Sequence, residues 1–424
     1  MTSIKKLSGE LVGKNYKPGL KFAFSVAVPL VETDAFALFV EHDALHDVTV
    51  ETMLRLADEG KAPYCVGVGV MPGKLTMPDG SVRGMRMNSY DLFDREYADF
   101  VVYELIPHIT AAFGLKISAS PDMHLVCGGS SGGIAALVMA WFHTEYFRRV
   151  YMSSPSFLAM GRGNEIPYLL RKYETKPLRI YQELSENEPN DYFGWSRGID
   201  EETDKGLIFA GYDYRSKYFA GEGHCSRYGE PVEAYARYEW LWHNYKSVPV
   251  AAPANSPRVD QVVPFGSRWE KCSAFPEKAV QAIPEELKNY DTVVLSGDKL
   301  AWYAADKKDD VVYMHVADGS GSHENRLLHA TLHTFPRVYP KGAAAMAVDA
   351  NDRLYALTAV GIQCVRSFGL IDVILELPDD SAPLDIAVTD ALYVKTEKGI
   401  YRRALCADCT DFENAQRKYT EYYD

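Results

Sequence analysis

Apolar and amphipathic stretches alternate along the first 250 residues. Lys21-Phe22-Ala23-Phe24-Ser25-Val26-Ala27-Val28 has period two and predicts a strand, whereas Ala35-Phe36-Ala37-Leu38-Phe39-Val40 is continuously apolar and predicts a strand buried on both faces. Val48 to Gly60 has helical spacing, Tyr64 to Val70 reads as a second buried strand, and a helix is expected from about Asp94 to Phe113. Met123 to Val126 predicts a strand that leads through a glycine-rich turn into a buried helix, Ile134 to Phe147. Strands are then expected at Arg149 to Ser153, Pro177 to Gln182 and Tyr214 to Phe219, with helices from Ile199 to Ala210 and Val232 to Tyr245. Such alternation predicts an α/β domain over residues 1–248, with a largely parallel sheet and helices on both faces.

After residue 248 the pattern changes. Pro249 to Pro264 carries four prolines and little periodicity, so 249–284 is expected to be a linker. Residues 285–405 carry a loose repeat of short strands: Leu300 to Ala305, Leu354 to Thr358 and Leu392 to Thr396, the last two followed by Gly361 to Val365 and Gly399 to Arg403. Spacings of 54 and 38 residues bracket the roughly 40–50 of a four-stranded propeller blade. About three blades make a partial β-propeller, which cannot close and leaves edges that need a cover. A homodimer pairing the two C-terminal β domains is one such cover. Residues 406–424 are expected to be a tail.

Composition narrows the partners. The 424 residues are 47% hydrophobic and 24% charged, with a net charge of −13, which suits a globular protein and excludes the basic stripe that binding nucleic acid requires. No apolar leader or membrane-spanning run is present, so a cytoplasmic protein without a membrane partner is expected. Seven scattered cysteines suit buried thiols in a reducing compartment. Cys406-x-x-Cys409 lacks a second Cys or His pair nearby, and no metal site is expected.

Candidate chemistry centres on Cys127-Gly128-Gly129-Ser130-Ser131-Gly132-Gly133-Ile134, where Gly129-x-Ser131-x-Gly133 matches a nucleophile elbow between strand and helix. In that frame Ser131 occupies the strained turn position. A serine nucleophile needs a base, a carboxylate to orient it and donors for an oxyanion, in the chain order Ser, acid, His. His224, in Gly221-Glu222-Gly223-His224, follows the last strand and is the only histidine between 144 and 242. Glu183, Glu186, Glu188 and Asp191 follow the strand near Gln182, and spacing does not choose among them. Gly132 and one of Asp43 or Ala44 are the expected oxyanion donors. His42, Asp43 and His46 are metal-ligand types, but a strand-end oxyanion site explains them more simply. Arg83, Arg86 and Asn88 are candidates to hold a carboxylate or polyol, and Phe157, Tyr192 and Trp195 to stack on an aromatic or sugar ring.

Residues 20–247 resemble the enterochelin-esterase-like branch of the α/β-hydrolases, which also includes feruloyl and acetyl-xylan esterases. The resemblance is carried by Cys127 to Ala136, by the 94–107 helix with Tyr97, Phe100 and Glu104-Leu105-Ile106-Pro107, and by Gly211-Tyr212-Asp213-Tyr214 leading to His224. It implies a serine carboxylic-ester hydrolase that forms an acyl-enzyme on a small aromatic, sugar or siderophore-like ester and needs no cofactor. An Asn-Asp pair of the closest relatives falls on Asn187-Glu188, ahead of Gly194-Trp195, which makes Glu188 the preferred acid; Asp191 and Glu186 stay open. His42-Asp43-Ala44 departs from the relatives' Gln-Asp-Gly. Residues 285–405 resemble part of a gluconolactonase-like propeller, best at Ala347-Val348-Asp349-Ala350-Asn351-Asp352-Arg353-Leu354-Tyr355. That likeness implies a degenerate module sooner than an active metal-dependent lactonase. A third expectation is an assembly protein that keeps the hydrolase fold without catalysis.

Overall fold

The computed structural model describes residues 2–158, 163–278, 281–335 and 338–411. The expected tail lies outside them from residue 412 onward. The chain divides into two units, one of residues 1–170 and 175–253, the other of residues 171–174 and 254–424.

In the first unit the elements run β1 (Ile4–Val12), β2 (Lys21–Pro29), β3 (Ala37–His42), α1 (Asp47–Asp58), β4 (Cys65–Val70), β5 (Lys74–Thr76), β6 (Val82–Gly84), α2 (Arg86–Tyr90), α3 (Glu96–Phe100), α4 (Ile106–Phe113), β7 (His124–Gly129) and α5 (Ser131–Phe142). They continue as β8 (Arg149–Ser153), α6 (Ile166–Lys172), β9 (Arg179–Asn187), β10 (Asn190–Asp191), β11 (Gly194–Trp195), α7 (Ser196–Phe209), β12 (Asp213–Gly223) and α8 (Pro231–Trp242). One mixed ten-stranded sheet has the order β12-β9-β8-β7-β3-β4-β2-β5-β6, with β1 also on β2. From β12 to β4 every pair is parallel. The remaining pairs, those of β2 with β1, β4 and β5 and that of β5 with β6, are antiparallel. β3, apolar up to Glu41, lies inside the parallel part, and β4 lies at its border with antiparallel β2; every residue of both strands is buried, as in strands covered on both faces.

Strand alternation sends Phe39, Leu125, Cys127, Tyr151 and Tyr181 to one face, where they pack with Val50, Met53 and Leu54 of α1 and Tyr238, Leu241 and Trp242 of α8. Eleven of the twelve residues of α5 are buried. That helix is core all round and has no solvent face. The helix expected from Asp94 to Phe113 is broken by a π-turn over Val101–Leu105 before Pro107. β1 was not foreseen, because its half-exposed residues lack a clean apolar alternation.

The second unit holds three four-stranded antiparallel sheets. The first is β14 (Thr292–Leu295), β15 (Ala301–Ala305), β16 (Val311–Val316) and β17 (Arg326–Thr331); the second is β18 (Ala345–Val348), β19 (Leu354–Thr358), β20 (Gly361–Val365) and β21 (Ile371–Leu375). The third joins β22 (Pro383–Val388), β23 (Leu392–Thr396) and β24 (Gly399–Arg403) to β13 (Glu270–Cys272), which precedes them all in the chain. Residues 249–284, expected as a linker, therefore contribute a strand, and Val259, Val262 and Val263 are fully buried in this unit's core. Apolar residues too sparse for periodicity hid that role. Within the same unit Arg403 pairs with Glu174 through Nη2 at 2.6 Å and Nη1 at 2.9 Å.

Candidate active site

The carboxyl ends of β3, β7, β8, β9 and β12 carry the polar residues singled out above, at the edge where parallel sheets bind ligands. The turn from β7 to α5 is sharp. Ser130 takes φ 57° and ψ −128°, while Ser131 is the first residue of the helix. The strained position is thus one residue earlier than the Gly129-x-Ser131-x-Gly133 frame implies. The same stretch also reads Gly128-x-Ser130-x-Gly132, and this second frame is the one the backbone follows. Its glycines have a steric reason to be there. A Cβ on Gly128 would lie 2.5 Å from the Gly132 carbonyl, and one on Gly132 would lie 2.9 Å from His42 Cβ. The Ser130 hydroxyl meets Ser156 Oγ at 2.9 Å. Ser131 is buried and its hydroxyl faces Asp91, whose carboxyl burial raises to about 6, with Ser131 and Arg86 acting in the opposite direction.

A bulge in β12 brings His224 to Glu188. β12 and β9 run in register through Phe219↔Ser185, then shift so that Gly223 pairs with Asn187. The next residue of each strand is therefore His224 and Glu188. Glu188 Oε2 lies 2.6 Å from His224 Nδ1, and the Glu188 side chain is almost fully buried. Neighbouring Cys225 and Glu188 raise the imidazole from 6.5 to about 10, against partial burial. Glu186 instead accepts the Gly221 amide at 2.6 Å, and Asp191 accepts that of Phe193 at 2.9 Å. Glu183 is buried under Tyr151 and Arg237.

The serine and histidine turns share an anchor. Ser153 O accepts the Ser130 amide at 2.9 Å and the Cys225 thiol at 3.4 Å, while Ser154 Oγ accepts the Cys225 amide at 3.1 Å. Tyr228 donates to buried Glu41 at 2.7 Å, and Arg237 Nη2 donates to Tyr228 O at 2.7 Å. These supports of the histidine loop come from residues far apart in sequence, and no local pattern marked them.

Other expected residues divide. The amides of Ser131 and Gly132 open α5 and have no intrahelical acceptor. Asp43 does not offer its amide, which donates to Val70 O at 2.9 Å and lies 3.1 Å from Tyr90 Oη. Its carboxylate holds Arg86, Nη2 to Oδ2 at 2.9 Å, so Arg86 is already engaged. Ala44 follows at the same strand end. Buried His42 bonds Cys127 O through Nδ1 at 3.0 Å, and burial lowers it to about 4, leaving a neutral ring. Arg83 is exposed on edge strand β6, separated from β7 by four strands. Phe157 is fully buried, which removes it from a stacking surface. Asn88 is half-buried and accepts Lys17 Nζ through its carbonyl at 2.8 Å. Tyr192 and Trp195 are 89% and 52% exposed on the β10–β11 hairpin directly after Glu188, and the Phe193 ring lies tilted against Tyr192 with centroids 4.3 Å apart.

In the second unit, Asp349 of the lactonase-like motif is occupied by its own turn, accepting the amides of Asn351 and Arg353 at 2.9 Å and the Tyr355 hydroxyl at 3.0 Å. Among the described residues no group of three or more His, Cys, Asp or Glu side chains is arranged to hold a metal ion. Among them, too, no helix is long and apolar enough to cross a membrane.

Similar solved structures include a ferulic acid esterase (15% identity over 56% of this chain and 98% of that one, TM-score 0.42) and the siderophore hydrolase EstB from Aspergillus nidulans (18%, 57% and 96%, 0.41). An IroE-like serine hydrolase from Shewanella oneidensis is 16% identical over 56% of this chain and 80% of its own, with a TM-score of 0.44. No curated protein matches. The family model "Putative esterase" matches residues 45–293, more than half of the chain, including the elbow, Glu188 and His224. The chain belongs to this esterase family.

Proposed function

We propose that the protein is a serine carboxylic-ester hydrolase whose nucleophile is Ser130, with His224 as base and Glu188 as its orienting acid. The observation that carries this reading is the positive φ of Ser130, between two glycines that admit no Cβ, at the same sheet edge as the Glu188–His224 pair. His224 Nε2 takes the Ser130 proton as Oγ bonds to the ester carbonyl carbon. The amides of Ser131 and Ala44 stabilise the oxyanion; Ala44 is one of the donors expected for a Ser131 nucleophile, and Ser131 takes the place expected of Gly132. Collapse breaks the bond to the alkoxy oxygen, and the imidazolium protonates the departing alcohol. Water, deprotonated by the same imidazole, then attacks the acyl-enzyme and restores Ser130.

The Tyr192-Phe193-Trp195 hairpin supports an ester with a planar aromatic or sugar group, since exposed clustered aromatic side chains favour stacking over solvation. A panel of aryl, hydroxycinnamoyl, catecholate and sugar-acetate esters tests the reading. Activity on at least one ester, lost in Ser130→Ala, is expected; equal rates in wild type and variant would overturn it. For the second unit we read the three sheets as blades of a partial propeller that pairs with a second copy. A strictly monomeric mass at micromolar concentration would sink that part alone.

A further inference from the structure

All three polar groups of Ser130 meet one short strap, Ser153 to Ser156, at the end of β8. The Ser130 amide donates to Ser153 O at 2.9 Å, its carbonyl accepts the Ser156 amide at 3.4 Å, and its hydroxyl lies 2.9 Å from Ser156 Oγ. The strap is itself fixed. Ser153, Ser154 and Pro155 are buried. The Ser154 amide donates to Glu183 O at 3.1 Å, and the Ser154 hydroxyl accepts the Cys225 amide at 3.1 Å. Pro155 lies against α5, where a Cβ added to Gly133 would stand 3.3 Å from the proline Cβ. Half-buried Ser156 is therefore presented to Ser130 by an anchored backbone, and its hydroxyl has Ser130 Oγ as a hydrogen-bond partner.

Counting protons gives this contact a direction. A hydroxyl has one proton to donate and can accept twice. A nucleophile that gives its proton to the imidazole has none left for a neighbour, so Ser156 is the donor of the pair and Ser130 Oγ the acceptor. Such a bond is modest while Oγ is neutral and strengthens as that oxygen takes on negative charge. It weakens again once Oγ is an ester oxygen, so it favours the transition states on both sides of the acyl-enzyme over the ground states. We propose that Ser156 is a further catalytic residue, donating a hydrogen bond to Ser130 Oγ whenever that oxygen carries charge. It acts first as Oγ loses its proton to His224 and bonds to the ester carbonyl carbon. It acts again after water has added, as the bond from Oγ to the acyl carbon breaks and before the imidazolium returns the proton. Ser156 keeps its own proton throughout. This rests on the reading of Ser130 as nucleophile.

The two half-reactions are measured separately with para-nitrophenyl acetate: acetylation by nitrophenol release, and decay of the acetyl-enzyme by intact mass. Both should slow about 10- to 100-fold in Ser156→Ala, and likewise in Ser156→Cys, whose thiol fills nearly the same space but is a weak donor. The acid limb of the pH profile belongs to His224 and should stay in place in both variants. Slowing of acetylation alone would reduce Ser156 to holding the free Ser130 hydroxyl, and a shifted limb would place the effect in the histidine turn. Unchanged or faster rates in Ser156→Ala would mean that Ser130 donates to Ser156 instead. Each of these three results overturns the proposal, as does a Ser156→Cys protein at full rate, which carries the test should Ser156→Ala fail to fold. A fluorophosphonate label found on Ser131 would sink the nucleophile reading itself; a label on Ser130 with full-rate Ser156→Ala would sink this proposal alone.

Discussion

Glu188 Oε2 and His224 Nδ1 are 2.6 Å apart because β12 bulges between Phe219 and Gly223, which brings the residues after Gly223 and Asn187 side by side. The Glu188 side chain is almost fully buried and the imidazole only partly so, which makes the carboxylate the less solvated member of the pair. Glu188→Gln keeps the shape but permits the wrong tautomer, and it should lower kcat about 10³- to 10⁴-fold with KM little changed. Asp191→Asn and Glu186→Gln, whose carboxylates cap backbone amides elsewhere, should stay within about threefold of wild type. Steady-state kinetics on the best ester of the panel separates the three.

Adjacent Ser130 and Ser131 give opposite forecasts. Ser130→Ala should abolish turnover and labelling by a fluorophosphonate, whereas Ser131→Ala should retain labelling and lose less than about tenfold in kcat/KM, since its hydroxyl faces buried Asp91. Labelling at Ser131 in the Ser130 variant would reverse the assignment. Mass spectrometry of the labelled peptide decides it.

His224 sets a pH dependence with a definite sign. A base held near pH 10 is protonated at neutrality, so kcat/KM should climb as pH rises through the alkaline range towards that value and flatten above it. Cys225→Ala removes one of the two neighbours that raise the imidazole and should shift the acid limb downward. A profile of kcat/KM from pH 6 to 11 in both proteins checks the direction; a limb that moves up instead contradicts it.

Much of the first unit was readable from pattern, because β3, β4 and α5 are buried and their composition is correspondingly apolar. The elbow was readable as a turn but not in its frame: two interleaved Gly-x-Ser-x-Gly matches use two glycines each, and only the backbone angle at Ser130 separates them. His224 stood out as an isolated histidine after the last strand. Spacing did not choose its carboxylate partner, since four carboxylates crowd the loop and a bulge in another strand decides which one meets it; only the family resemblance preferred Glu188, the one that does. Phe157 was misjudged because an aromatic residue after a strand reads the same whether it lines a pocket or fills the core. Val259, Val262 and Val263 escaped notice for a related reason, as their burial depends on sheets about a hundred residues later.

Within the second unit, Arg403 and Glu174 form a two-point ion pair in which the arginine is nearly fully buried. Removing one partner leaves the other charge uncompensated, which typically costs about 3–5 kcal/mol. Arg403→Ala should therefore lower the unfolding temperature of this unit, while Arg403→Lys, with one donor point in place of a fork, should fall between the two. Calorimetry with esterase activity as a second readout checks whether the loss is confined to stability.

The elbow's glycines make the last test, because they separate sterics from chemistry. A Cβ on Gly128 would stand 2.5 Å from the carbonyl carbon and oxygen of Gly132, backbone atoms at the start of α5 that cannot rotate away. Gly128→Ala must therefore push strand and helix apart, at a cost of about 1–3 kcal/mol or more, and tilt Ser130 away from His224. Gly223, next to His224 itself, would meet nothing within 4 Å. Gly223→Ala should accordingly fold and turn over much as wild type does, although it lies closer in sequence to a proposed catalytic residue than Gly128 does. Thermal melts and kcat of the two variants, measured side by side, check this ordering; a Gly223 variant as damaged as the Gly128 one would show that flexibility of the histidine loop, and not packing under the elbow, limits the site.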